Sequence, residues 1–325
     1  MNSPGSSILR MSLGITIALI SSCGLLTNAI VLVAFIYKSI RLREFSVVLL
    51  CALTIVNMAQ LILYIGYLVP SIFISQFLFG DNVSNEVNRL VGLLQLWLWY
   101  FTLCIILTFA MLRAYICFKE EESVPSLSHQ SDCRLAIFGI IVMFISTFIP
   151  ALVSQFTVSC CTLYLDYRTY GQIYIGSKFN VSFSNIYFPS GLFITIIANI
   201  CHIIVYILNY KNKKMHSNEC ENSFEKYSFT IITVFTLLVT ATWIVFSCLS
   251  KAPGVGEDKH LVAIVSLLQI SYATIIPLAY LLIKPIRKTL SAEMVSANYT
   301  GHMSADTKNQ LSKTTPQGQL YCRRI

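Results

Sequence analysis

Seven long apolar runs, separated by short polar stretches, constrain this chain more than any other feature. They lie at 13–37, 45–69, 90–118, 135–156, 186–210, 227–249 and 261–283. A helix that crosses the hydrocarbon core of a bilayer needs roughly 20 apolar residues, and its backbone groups must be satisfied within the segment. Most of the runs lack a polar period, which suits helices covered all round by lipid or by other helices. Core helices of a soluble protein are shorter and carry a polar face. Only 12% of the 325 residues are charged, against about 25% in soluble domains. The expected fold class is an all-α membrane protein, a bundle of seven transmembrane helices over residues 1–290. The polar remainder, 291–325, is expected to be a disordered tail whose Ser and Thr residues are open to phosphorylation.

Charge sets the expected orientation. With the N-terminus outside, one side of the membrane receives Lys38, Arg41 and Arg43, then Arg113, Lys119 and Arg134, then Lys211, Lys213, Lys214 and Lys226, then Lys284, Arg287 and Lys288. The other side receives only Arg10, Arg89, Arg168, Lys178, Lys251 and Lys259. Lys and Arg favour short cytoplasmic loops, so the N-terminus is expected outside and the C-terminus in the cytoplasm, in the plasma membrane. The first apolar run is longer than the h-region of a signal peptide and is expected to remain as a span. The sequons at Asn82 and Asn180 then fall outside, as a glycoprotein requires, and the one at Asn298 falls inside.

The same features remove several functions. The net charge of +8 is spread over many membrane edges, with no basic strip for nucleic acid. The His residues are scattered and the eleven Cys residues show no metal-site spacing. No His cluster or carboxylate pair lies in the spans, so neither an enzyme nor a bound cofactor is expected. Charged residues along a continuous path would mark a transporter or channel, and the spans hold almost none. A polytopic transporter, or an odorant-type channel subunit without G-protein coupling, remains as the alternative.

Polar residues within spans are functional candidates, because lipid cannot satisfy them. They are Asn28, Asn57, Gln95, Thr102, Arg113, Thr242, Gln269 and Tyr280, with Pro277 breaking the last span. Asn28 and Asn57 each lie at or below mid-membrane, so an interhelical hydrogen bond between them is expected. Arg113 ends the third run at its inner edge, and Glu225 precedes the sixth. A pair at that edge would act as a latch between two helix arrangements, strong enough to bias them and weak enough to release.

These residues resemble the pattern of rhodopsin-like (class A) G-protein-coupled receptors over about residues 8–290. Asn28 matches the first-helix Asn. Leu53-x-x-x-Asn57 resembles the second-helix Leu-x-x-x-Asp. Leu112-Arg113-Ala114 keeps the Arg of the third-helix Asp/Glu-Arg-Tyr. Pro189 stands for the fifth-helix Pro, and Trp243 for the sixth-helix Trp. Ile276-Pro277-Leu278-Ala279-Tyr280 resembles Asn-Pro-x-x-Tyr. With Trp243 as anchor, Glu225 falls at the family's acidic latch position.

The departures point to a divergent member similar to nematode-type serpentine chemoreceptors. Asn88 stands where the family's outer disulfide needs a Cys, so Cys160 or Cys161 lacks its usual partner. The second helix carries Asn57 in place of Asp, which argues against the family's sodium site.

The resemblance implies signal transduction by a receptor that binds a small extracellular ligand and activates a heterotrimeric G protein. The chemosensory ligand would sit among Gln95, Trp99, Trp243, Phe246, Ser266 and Ile270. The switch would use Arg113, Glu225, Pro277 and Tyr280. Gln95 replaces the Asp of amine receptors, so a neutral ligand is expected. Membrane lipid is the remaining partner.

Overall fold

A computed structural model describes residues 4–42, 45–80, 85–121, 129–157, 162–174, 188–213, 230–241 and 259–282. All of them belong to one unit, Met1–Ile283. Helix α1 runs Pro4–Leu42 and α2 runs Phe45–Leu63. The chain continues through a π turn, Tyr64–Leu68, into α3, Val69–Ile74. Then come α4 (Glu86–Glu121), α5 (His129–Phe156) and α6 (Phe188–Lys213). The last two are α7 (Thr230–Ala241) and α8 (Lys259–Leu282). Six of these stretches, with α2, the π turn and α3 taken as one, are long and apolar enough to cross a membrane; the sixth expected span is described only over Thr230–Ala241. The chain is a multi-pass membrane protein of helical-bundle fold.

The second run continues past residue 69 as helix, through the π turn around Gly66 and on to Ile74. Pro70 sits in the first turn of α3, directly after the π turn, where the Val69 N–H already reaches five residues back to Tyr64 O and the ordinary ladder that a proline would break is interrupted. The helix stops at Ser75, whose φ of 61° is left-handed.

Helix α4 is the best buried of the spans and α5 the least, at 61% and 11% of their most apolar windows. That contrast makes α4 a central strut and α5 a lipid-facing one. Outward residues of α5 such as Phe138, Ile145 and Ile149 are more than half exposed within the protein, as lipid contact requires. Toward the bundle α5 is held by aromatics: Trp97 meets Phe144 and Phe148 edge-on at 4.5 and 5.4 Å between ring centroids.

Between α5 and α6 the chain forms a two-stranded antiparallel hairpin, β1 (Leu163–Asp166) with β2 (Gly171–Tyr174). The register sets Leu165 opposite Gln172. All four residues of β1 are buried, so the hairpin is packed into the bundle end. Two glycines allow the approach. A Cβ on Gly92 of α4 would collide with the Leu163 carbonyl, and one on Gly171 with Ser266 Oγ of α8.

Candidate functional site

Four uncharged polar side chains from four elements converge beneath the hairpin. Tyr64 opens the π turn, Gln95 comes from α4, Gln172 from β2 and Gln269 from α8. The Tyr64 hydroxyl donates to Gln269 Oε1 at 3.1 Å. It accepts from Gln95 Nε2 at 3.3 Å and from Gln172 Nε2 at 3.4 Å. Gln172 Nε2 also donates to Gln269 Oε1 at 3.0 Å. The phenol thus uses its one donor and both acceptor sites. One acceptor of the cluster is unmet: Gln95 Oε1 is buried and has no hydrogen-bond partner among the described residues. Apolar walls surround these groups, including Leu61, Leu68, Leu165 and Ile270.

The candidates named from sequence fall as follows. Gln95, Ser266 and Ile270 lie at this end of the bundle and are almost fully buried. Ile270 shares an apolar cluster with Tyr64, and Ser266 faces the hairpin at Gly171. Trp99 is one turn along α4 from Gln95 and half-buried. Trp243, Phe246, Glu225, Asn82 and Asn180 lie outside the described residues. Sequence reasoning missed Tyr64 and Gln172, and saw Gln269 only as a polar residue in a span. The available signal was the recurrence of Gln in or beside apolar runs.

At the other end of α4, the Arg113 guanidinium lies 5.9 Å from the centroid of the Phe109 ring. Tyr280 is buried edge-on against Phe35, with centroids 5.1 Å apart. Asn28 and Asn57 are both buried, but no hydrogen bond joins them among the described residues. Asn28 Nδ2 instead donates to Gly24 O at 2.7 Å and to Ala273 O at 2.9 Å. The reason lies in α8. Pro277 has no N–H, so the carbonyl four residues earlier, that of Ala273, loses its helical partner. Asn28 fills that place.

A chain of contacts leads from the polar cluster to α7. Tyr272 is three residues beyond Gln269, on nearly the same face of α8. Its hydroxyl donates to Leu238 O of α7 at 3.2 Å, and its ring meets Phe235 edge-on at 5.6 Å. Helix α7 is bound in turn to α6, where Asn199 Nδ2 donates to Thr240 Oγ1 at 2.8 Å.

The position noted for its missing Cys, Asn88, is buried in the first turn of α4. Its Oδ1 accepts the Tyr67 hydroxyl at 2.6 Å, tying α4 to the π turn. Cys23, Cys51, Cys104 and Cys201 are free thiols within spans.

Comparison with known proteins places these features. Residues 18–252 match the model of a family described as serpentine type 7TM GPCR chemoreceptor Srx. The fold is similar to that of squid rhodopsin, with a TM-score of 0.71 over 98% of this chain and 94% of that one, at 15% identity. No curated protein matches the chain in sequence.

Proposed function

The chain belongs to the serpentine Srx family of seven-transmembrane G-protein-coupled chemoreceptors, and from that premise we propose that it senses a small, neutral, extracellular molecule with a hydrogen-bond donor. The observation that carries this reading is the composition of the cluster under the hairpin. Among the described residues it has three amides and a phenol, no charged side chain, and one unmet acceptor at Gln95 Oε1. A cationic or anionic ligand would find no counter-charge among these groups, and removing a charge from water without one is heavily disfavoured. A hydroxyl or amide donor that reached Gln95 would complete the set.

Signalling then follows by population shift. A ligand that engages Gln269 moves or stiffens α8. Tyr272 passes the change to α7 through Leu238, and Asn199 draws α6 along. At the cytoplasmic end the contact between Arg113 and Glu225 opens. A cleft bordered by Arg113 and Tyr280 admits the heterotrimeric G protein in the plasma membrane, with Pro277 as the point where α8 bends.

The test is a panel of small neutral volatiles and metabolites, read by G-protein activation in cells. For any agonist found, Gln95→Met keeps the side-chain volume and removes both the unmet acceptor and the donor to Tyr64. The expected result is a rise of about tenfold in half-maximal concentration. An unchanged value in a variant that reaches the surface would remove Gln95 from the site.

A further inference from the structure

The hairpin that carries Gln172 is held in place by one side chain at the end of α5. Gln155 is completely buried. Its amide acts as a stray peptide group laid alongside β1. Oε1 accepts the Leu163 N–H at 2.9 Å, and Nε2 donates to the Leu163 carbonyl at 2.6 Å. The second Nε2 hydrogen goes to the Arg89 carbonyl of α4, at 2.8 Å. One amide therefore ties three elements together, using both donors and one acceptor site.

The backbone of the same residue is used too. Gln155 O, in the last turn of α5, lacks a helical partner. It accepts from Arg89 Nη2 at 2.8 Å and from Thr162 Oγ1 at 3.4 Å. The guanidinium of Arg89 also stacks on the Phe156 ring, 4.7 Å from its centroid. A cation is poorly placed at the start of its own helix α4 and well placed at the end of α5, where the dipole is negative. One turn further along α4, Gly92 lets the Leu163 carbonyl rest on the helix backbone.

We propose that Gln155 is the positioning residue of the ligand site: its amide docks β1 on α4 and so seats Gln172, paired opposite Leu165, against Tyr64 and Gln269. No other side chain fits the role. Glu would lose both donors and bury a charge, and Asn would fall one methylene short. The tether contains no sulfur, so the hairpin stays docked under reducing conditions. The functional consequence rests on the ligand-site reading above, but the docking does not.

Hydrogen exchange on the full chain in lipid nanodiscs tests this without any ligand. Gln155→Met preserves length and bulk, so a role in packing alone would survive it. The expected result is that amides 163–166 exchange at least about tenfold faster, while those of α6 keep their wild-type rates. Gln172→Met should leave 163–166 unchanged, because it removes the cargo and not the tether. Tris(carboxyethyl)phosphine should leave the wild-type protection intact. Wild-type exchange at 163–166 in Gln155→Met would overturn the proposal, and so would loss of protection on reduction. If Gln155→Met cannot be purified, Gln155→Asn serves: faster exchange at 163–166 is expected, and unchanged exchange overturns the proposal. A failed ligand reading has a different signature, in which the exchange effects appear while neither Gln155→Met nor Gln172→Met alters the response to an agonist.

Discussion

Pro277 takes one N–H out of α8, and the residue that answers it sits on another helix. Asn28→Ala would leave the Ala273 carbonyl buried with neither a helical nor a side-chain donor. Leaving such a group unsatisfied costs about 1–3 kcal/mol, so the variant should show a clearly lower Tm in detergent. An Asn28→Ala chain as stable as wild type would mean that another donor replaces it. Asp166 is the comparable residue in the hairpin. Burial raises its carboxyl above the ordinary range, while the Arg168 N–H and charge lower it by less. The docked hairpin thus holds the proton more tightly than a loose one would. Its contribution to docking is fully present below the ordinary carboxylate range and is lost as pH rises through the raised value. Protection of amides 163–166, corrected for intrinsic rate, should therefore grow from neutrality towards about pH 4. Asp166→Asn keeps an acceptor for the Arg168 N–H, which lies 2.9 Å from Asp166 Oδ1, and should flatten that slope. Neither role is visible in sequence. A Pro marks the carbonyl it strips, but not which helix supplies the donor, and an Asp in a polar loop looks solvated until the hairpin buries it.

At the scale of elements, the spans were legible because lipid imposes a length and an apolar composition that the chain cannot hide. The boundaries moved where polar residues continue a helix into the interface: α4 begins at Glu86 and not at 90. The course of 71–79 was not legible: Gly66 and Pro70 are residues that can kink or end a helix, yet the chain makes a π turn and resumes for one short helix. The hairpin was missed altogether, since two four-residue strands in a polar loop carry too few residues for a period to show. With it went Gln172, and Tyr64 escaped notice for a different reason, since the four cluster residues share no sequence neighbourhood. The latch proposed between Arg113 of α4 and Glu225, which precedes α7 in the chain, belongs to this scale as well. Glu225 is outside the described residues, so its pairing with Arg113 is a proposal that basal signalling decides. Glu225→Ala should raise ligand-free G-protein activation several-fold, as removal of a contact worth about 1 kcal/mol would. Unchanged basal activity at equal surface expression would show that Arg113 restrains nothing through that residue.

For the molecule as a whole, the ligand site and the latch both need the hairpin end to face outward. The bundle has two chemically different ends. One carries the docked hairpin, with the buried amides and Asp166. The other lies beyond Arg113, the end to which chain order assigns most of the Lys and Arg residues between the spans. Positive loops stay in the cytoplasm, so the amide-rich end should meet the external medium, where a chemical cue arrives. Glycan mapping reads this directly. Asn82 precedes α4 and Asn180 follows β2, both at the hairpin end in chain order, whereas Asn298 follows α8. In cells, Asn82→Gln and Asn180→Gln should each remove one glycosidase-sensitive step in mobility, and Asn298→Gln should remove none. Sugar on Asn298 with none on the other two would turn the bundle over. Gln95 and the hairpin would then face the cytoplasm, and the latch would lie on the wrong side of the membrane to meet a G protein.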